Sequence, residues 1–430
     1  MNPVLRPLRH AARIALAAVT MLPAAAVGQA FLPADADVAA AIRDQAEVRA
    51  AAARVDAAGA SRRALAVGGH EFEASVGTQR RRAIEEGRDF AEWDLQISRA
   101  VRLPGKAALD RQIGDSLLGV ADLRRTDAEH QAARRLLDLW MGWLRSAATA
   151  GETAAQAALL QRERDALARR VAAGDAAQRE LDLLDAEQAL LAVQVVATRD
   201  AAAAARQTLA IEFPRIVVPM QPPALPDPQP LPGGSPAWRE RIIRESAEIE
   251  LATGESQRLS LQAARARAER RPDPSVGLRL LSERGGAERT VGLVLSVPLG
   301  GGYRSARADA ETANAAAAEA EAAGVRRLVE QAAWLTVQAA DSRREQWLSQ
   351  QRSLAAQETA GRRLRRAWEL GETPLGDYLL AQRNLRQARL AEALARVDAL
   401  QAALLVRVDA HELWHADTHG ADGGPATPAP

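Results

Sequence analysis

The sequence predicts a mainly α-helical, elongated chain with a small β part. Three observations carry that expectation: an alanine-rich composition, apolar patterns that switch from helical to alternating period and back, and the occurrence of the whole pattern twice. At 430 residues, with 47% hydrophobic but only 3% aromatic residues, the chain suits long, closely packed helices rather than one spherical core. Charges nearly cancel, 56 basic against 55 acidic. With no block of one sign, a phosphate-binding surface has no support and nucleic acid is excluded as a partner. The absence of cysteine rules out a disulfide framework, a thiolate metal site, a cysteine nucleophile and a lipid anchor on an N-terminal cysteine.

Taken in chain order, Arg6, Arg9 and Arg13 precede an apolar run from Ile14 to Leu22, and small residues follow Pro23 as far as Gly28, Gln29 and Ala30. This is the layout of a secretory signal peptide over 1–30, so the mature chain is expected to begin near Phe31. The run is shorter than the ~20 apolar residues of a spanning helix.

Residues 31–213 and 237–415 then read as two repeats, each a helix, a β-hairpin and a long helical hairpin, joined by the proline-rich linker 214–236. The hairpins cover 71–101 and 275–297. Trp93, Leu95 and Ile97 alternate with Asp94, Gln96 and Ser98, while Val291, Leu293, Leu295 and Val297 alternate with Thr290, Gly292 and Ser296. That period of two gives each hairpin one apolar face. Breaks at Arg102 to Lys106 and at Pro298 to Tyr303 end the strands. Helical patterns follow from about Ala107 to Ala172 and from about Arg304 to Leu370, on the order of 100 Å each at 1.5 Å per residue. Gly174 and Gly371 turn the chain back into Gln178 to Glu212 and Leu375 to about Trp414. Single helices over Asp37 to Leu65 and Ala237 to Arg270 are expected to complete four columns, the first extending the second return helix and the other extending the first. Residues 416–430 read as a disordered tail.

Two hairpins supply four strands with open edges, which cannot stand alone in water or lipid. Closure by identical subunits is therefore expected, with eight strands in a dimer or twelve in a trimer.

The signal peptide, the duplicated order, the stretch "SVPLGGGYRSARADAETANA" (Ser296 to Ala315) and the turns leading into "LDAEQ" and "LGDYLLAQ" together resemble the TolC outer-membrane efflux family over essentially the whole mature chain. "VRLPGKAALDRQIGDS" (Val101 to Ser116) further resembles its CzcC-like cation-efflux branch. The resemblance implies a homotrimer in the outer membrane of a Gram-negative bacterium. Its twelve-stranded β-barrel would sit in lipid above a periplasmic α-helical coiled-coil barrel that docks to a periplasmic adaptor (membrane fusion) protein of an inner-membrane pump. It implies a passive duct for solutes such as metal cations or drugs, with no cofactor and no enzymatic activity. A type I secretion exit duct is an alternative use of the same fold. An exported alanine-rich coiled-coil scaffold in the periplasm is the competing class, but it has no use for the hairpins.

By the same resemblance the glycine turns form the periplasmic tip, so Gly174, Gly371, Trp368 and Thr373 are adaptor-contact candidates. Acidic residues beyond the turns, Asp377, Asp182 and Asp185, are candidates for a pore constriction. Asp182 and Asp377 read as equivalent in the repeat, which would put six carboxylates around a trimer axis. Trp368 is expected to pack against a neighbouring helix. Asp94, Gln96, Ser98 and Ser296 are assigned to the barrel lumen, and Trp93, Leu95, Ile97, Val291, Leu293 and Leu295 to lipid. His411, His415 and His419 recur every four residues. A helix continuing past Trp414 would align their imidazoles, with Glu412 and Asp417 nearby, to hold a soft divalent ion. His10, His70 and His130 read as isolated, and no His, Ser and carboxylate arrangement argues for catalysis.

Overall fold

The computed structural model describes residues 31–415; the segment expected to be a signal peptide, Asp417, His419 and the rest of 416–430 lie outside the described residues. In chain order the elements are α1 (Asp35–Arg43), α2 (Ala46–Val67), β1 (Phe72–Ala83), β2 (Arg88–Ala100), α3 (Lys106–Ala172), α4 (Gln178–Glu212), α5 (Ser235–Arg244), α6 (Ala247–Glu269), β3 (Ser275–Glu283), β4 (Glu288–Ser296), α7 (Gly302–Glu369) and α8 (Leu375–Asp409). The duplication is close to residue-for-residue. α1 and α2, with 9 and 22 residues, correspond to α5 and α6 with 10 and 23. The 67 residues of α3 match the 68 of α7, and α4 and α8 have 35 each. Among the described residues no helix is long and apolar enough to cross a membrane.

Two expectations need correction. The helices expected over 37–65 and 237–270 are each broken near their start. At the second break Ser246 leaves helical geometry, and its hydroxyl accepts from the Ile249 N–H at 3.2 Å to start α6, with Glu248 and Glu250 in the first turn. At the first break Gln45 takes that place, and its side-chain amide donates to the carbonyl of Glu212, the last residue of α4, at 2.8 Å. The short helices so released bury Val38 and Ile42 in one repeat and Trp238 and Ile242 in the other.

The columns also exchange partners. α2 and α4 pack along α3, whereas α6 and α8 each pack against both α3 and α7. Thus α2 continues the column of α4 and α6 that of α8, the reverse of the sequence pairing. The Gln45–Glu212 bond and an Arg215–Asp44 ion pair mark the first junction, and Arg241–Glu412 at 2.9 Å marks the second. What the sequence pattern missed is the path of the linker. It is tied to α7 where Arg344 donates to Pro228 O at 3.3 Å and to α8 by Arg396–Asp227 at 3.6 Å, so it crosses between columns instead of extending one.

Packing follows composition. The largest core gathers Leu136, Trp140, Met141 and Trp143 of α3 with Val38, Ile42, Leu209, Phe213, Leu400 and Leu404. Phe31 belongs to it, and its carbonyl accepts from the Trp140 indole at 3.1 Å. Elsewhere buried alanines such as Ala263, Ala308, Ala333 and Ala340 let the long helices approach closely.

Candidate functional site

The four strands form one antiparallel sheet in the order β1-β2-β3-β4, so the two hairpins are joined through β2 and β3 and leave β1 and β4 as edges. Register decides which residues share a face. Val76 stands opposite Leu95, Leu95 opposite Leu280, and Leu280 opposite Val291; likewise Ala74, Ile97, Leu278 and Leu293 form one row. The other face carries Ser75, Gln96, Arg279 and Gly292, and next to them Gly77, Asp94, Leu281 and Thr290. Trp93, Leu95, Ile97, Val291, Leu293 and Leu295 thus share one face, and Asp94, Gln96, Ser98 and Ser296 the opposite one, with the parity expected from the sequence.

The two faces differ physically. On the apolar face Leu293 is 91% exposed and Val76 71%. On the polar face Arg81 and Gln79 converge on buried Glu92 at 2.8 and 2.9 Å, and Arg279 lies 3.6 Å from Asp94. A Cβ built at Gly277 would sit 2.8 Å from the Ile97 carbonyl, so this strand crossing requires glycine.

Below the sheet a charged knot joins strands to helices. Lys106, the chain's only lysine, is 1% exposed and donates to the Arg271 carbonyl at 2.7 Å and to Asp273 at 2.9 Å. Asp273 also accepts from the Leu103 N–H at 2.9 Å and faces His70 at 3.2 Å. Arg102 donates to Leu65 O and Ala66 O at the end of α2 and to Asp110, which is shared with Arg265. The single lysine within the "LPGK" break was the sequence signal for this knot, and the sequence reading gave it no role.

At the opposite end the two helical hairpins close alike. Gly174 and Gly371, with φ of 81° and 78°, each follow a helix end in the left-handed region that glycine favours. Beyond the turns the repeat equivalence fails for the chosen acids. α4 begins at Gln178 and α8 at Leu375, so Asp377 is the third residue of its helix and corresponds to Glu180, whereas Asp182 is the fifth. Asp377 is exposed in the first turn. Asp182 is exposed and accepts from Gln178 at 2.9 Å. Asp185 is held by Arg164 of α3 at 2.7 Å, which makes it a tie between helices.

Trp368 packs as expected, stacked parallel on Tyr378 at 4.8 Å, with the Arg170 guanidinium 5.9 Å from the centre of the Trp368 ring. Thr373 keeps a buried hydroxyl without a hydrogen bond. The sequence reading missed the polar cluster beneath. The Tyr378 hydroxyl donates to Glu163 of α3, Gln382 donates to Tyr378 at 3.0 Å, and Arg383 grips Glu187 of α4 at 2.6 and 3.2 Å. Glu163 was detectable, since it interrupts the apolar stripe Leu160, Leu167 on α3 at helical spacing.

The histidine expectation needs correction as well. α8 ends at Asp409, and His411 has φ 54°, so no helix carries the imidazoles onward. His130, read as isolated, instead touches His411. Among the described residues no group of three or more His, Cys, Asp or Glu side chains is placed to hold a metal ion.

No protein-family model and no curated protein matches the sequence, so the likenesses are structural. The outer-membrane channel OprN matches with a TM-score of 0.75 at 20% identity, covering 89% of this chain and 91% of its own. The Campylobacter jejuni CmeC outer membrane channel matches with a TM-score of 0.73 at 14% identity over 89% of this chain and 87% of its own. The outer membrane protein VceC from Vibrio cholerae gives 0.70 at 16%, covering 91% and 99%. The chain has the fold of these outer-membrane proteins along nearly its full length.

Proposed function

We propose that this chain is the outer-membrane channel subunit of a tripartite efflux system. Three copies place their twelve strands in the membrane as one β-barrel and their helices in the periplasm as a duct on the order of 100 Å long. The observation that carries this reading is the sheet: one face holds exposed Val76, Leu293 and Leu295, the other holds ion pairs, and both edges are open. Apolar area left in water costs about 25 cal/mol per Å², and open edges invite pairing. Lipid on one face and neighbouring subunits at β1 and β4 relieve both. The shared fold with OprN and CmeC supports the same reading.

In this reading the tip around Gly174, Gly371, Trp368 and Thr373 meets a periplasmic adaptor, and an inner-membrane pump supplies the energy. Asp377 and Asp182 face the narrow end of the pore, and Asp94, Gln96, Ser98 and Ser296 line the barrel. The duct uses no cofactor and performs no chemistry. The Val101 to Ser116 stretch favours metal cations among the exported solutes. Envelope fractionation followed by planar-bilayer recording tests the proposal: a detergent-extracted oligomer that conducts is expected, and recovery as a soluble periplasmic monomer would defeat it.

A further inference from the structure

Three helices of this chain end in one way, but with different residues. Beyond α3, Gly174 N–H donates to Val171 O and Asp175 N–H to Arg170 O. Beyond α7, Gly371 N–H donates to Trp368 O and Glu372 N–H to Ala367 O. Beyond α8, His411 N–H donates to Val408 O and Glu412 N–H to Arg407 O. The first residue of each pair is left-handed, a conformation glycine enters freely and other residues resist. At 411 a histidine occupies it.

Ring contacts hold it there. The His411 imidazole stacks on His415 at 4.1 Å and 11°, and tilts against His130 of α3 at 5.1 Å and 55°. His130 is buried, with Nε2 3.6 Å from Asp409, whose Oδ1 is buried without a hydrogen bond. Leu413 is buried in the main core, and the segment closes over a cavity of about 610 Å³ bounded by α1, α3 and the end of α8.

We propose that residues 410–415 are an acid-released latch: the three-imidazole stack is closed while its rings are neutral, and proton uptake parts them and frees the end of α8 from α1 and α3.

Of the acids around the rings, Glu248 and Glu245 favour an imidazolium but are outweighed by burial and the neighbouring ring, and the others have partners of their own. Glu129 of α3 is bound by Arg125 at 2.8 Å. Glu412 is bound by Arg241 of α5 and by Arg407, each at 2.9 Å. Glu248 of α6 accepts from the Ser246 hydroxyl at 2.8 Å. Asp35 and Arg43 of α1 lie on the cavity wall, Arg134 of α3 stands 3.6 Å from Asp409, and Glu245 after α5 completes the surroundings. Burial, and then the neighbouring ring, pushes His130 and His411 down to about 4. A released histidine titrates near 6.5, so the latch holds above that pH and loses stability as pH falls from about 6.5 toward 4. Asp409 opposes this. Burial raises it to about 6, so its charge costs stability at neutral pH and that cost fades on acidification. One carboxyl offsets one of two imidazoles, and the net effect of acid is release.

Hydrogen–deuterium exchange on the intact, detergent-extracted protein, corrected for intrinsic rates, tests the latch. Protection of amides 410–415 should fall about tenfold or more between about pH 7.5 and about pH 5, while peptides around Trp347 keep theirs. In the double variant His130→Gln, His415→Gln this response should vanish. If that variant does not accumulate, His415→Gln alone should weaken it. Equal protection of the parent at both pH values, or an undiminished response in the variants, overturns the proposal. Loss of protection on adding EDTA at neutral pH also overturns it, because a bound metal ion would then be the clamp.

Discussion

The hydroxyl of Tyr378 on α8 donates to the buried carboxylate of Glu163 on α3 and so ties one helical hairpin to the other near the tip. Burial raises the Glu163 carboxyl above its ordinary range, with the Tyr378 bond opposing. A carboxyl raised on folding costs stability while ionised, and that cost is relieved as pH falls through its folded value. The tip should therefore be tightest in acid. In bilayer recordings the parent should conduct less in acid, and Glu163→Gln should show that low conductance already at neutral pH, with little pH response left. Tyr378→Phe removes the donor to a buried acceptor at a cost of about 1 to 3 kcal/mol and should raise leak conductance. An unchanged leak would reduce the pair to packing.

The sheet predicts tolerance by parity. Arginine at Leu293, on the apolar face, should cost about 2 to 4 kcal/mol near a bilayer midplane and impair assembly. Arginine at Ser296, opposite Ser275 on the polar face, should assemble and change conductance. Equal assembly defects on semi-denaturing gels would remove the barrel assignment.

Two glycines of that polar face separate backbone contact from curvature. A methyl at Gly277 meets the Ile97 carbonyl at 2.8 Å and Ser98 Cβ at 2.7 Å, whereas at Gly292 it meets nothing within 4 Å. Gly277→Ala should push β2 and β3 apart, at about 1 to 3 kcal/mol for the overpacking, while Gly292→Ala stays near the parent in thermal melts of the extracted oligomer.

Much of this was legible in the sequence because the signals are local. Alternation fixed the strand faces, and glycine after each long periodic run fixed the two tips at Gly174 and Gly371. What stayed hidden depends on partners far apart in sequence. The column exchange rests on Gln45 meeting Glu212 and on the linker reaching Arg344, contacts that no periodicity encodes. The breaks before α2 and α6 were hidden for a different reason: Gln45 and Ser246 sit within runs that continue helical on both sides. The histidine reading failed because four-residue spacing aligns side chains only while a helix persists, and this one ends at Asp409.

The acids proposed to face the pore are the test of the tip. Asp377 is exposed in the first turn of α8 and Asp182 in the second of α4, whereas Asp185 is bound by Arg164. Asp377→Asn should weaken cation preference in asymmetric salt, and adding Asp182→Asn should weaken it further. Asp185→Asn should act instead on stability, within the ~1 kcal/mol of an exposed pair. If the double variant keeps parental selectivity and block by multivalent cations, the two carboxylates are solvated turn residues.

Lys106 supplies the sharpest test of the junction between sheet and helices, because in a chain with one lysine among 56 basic residues the choice of ammonium over guanidinium needs a reason. Its site is closed, at 1% exposure, and three acceptors converge on one nitrogen: Arg271 O at 2.7 Å, Asp273 at 2.9 Å and Glu269 at 3.3 Å. A compact ammonium meets such a convergent set, whereas the longer planar guanidinium spreads its donors and adds volume to a filled site. Lys106→Arg should therefore be destabilising despite the conserved charge, by about 1 to 3 kcal/mol of overpacking. Lys106→Met strands Asp273 beside His70 without its cation, and removing one partner of a buried pair costs about 3 to 5 kcal/mol. Adding Asp273→Asn to Lys106→Met should restore part of that loss, since the orphaned charge is gone and the two changes are coupled. Thermal melts of the extracted oligomer read all three. A Lys106→Arg protein indistinguishable from the parent would mean that any cation serves at this junction.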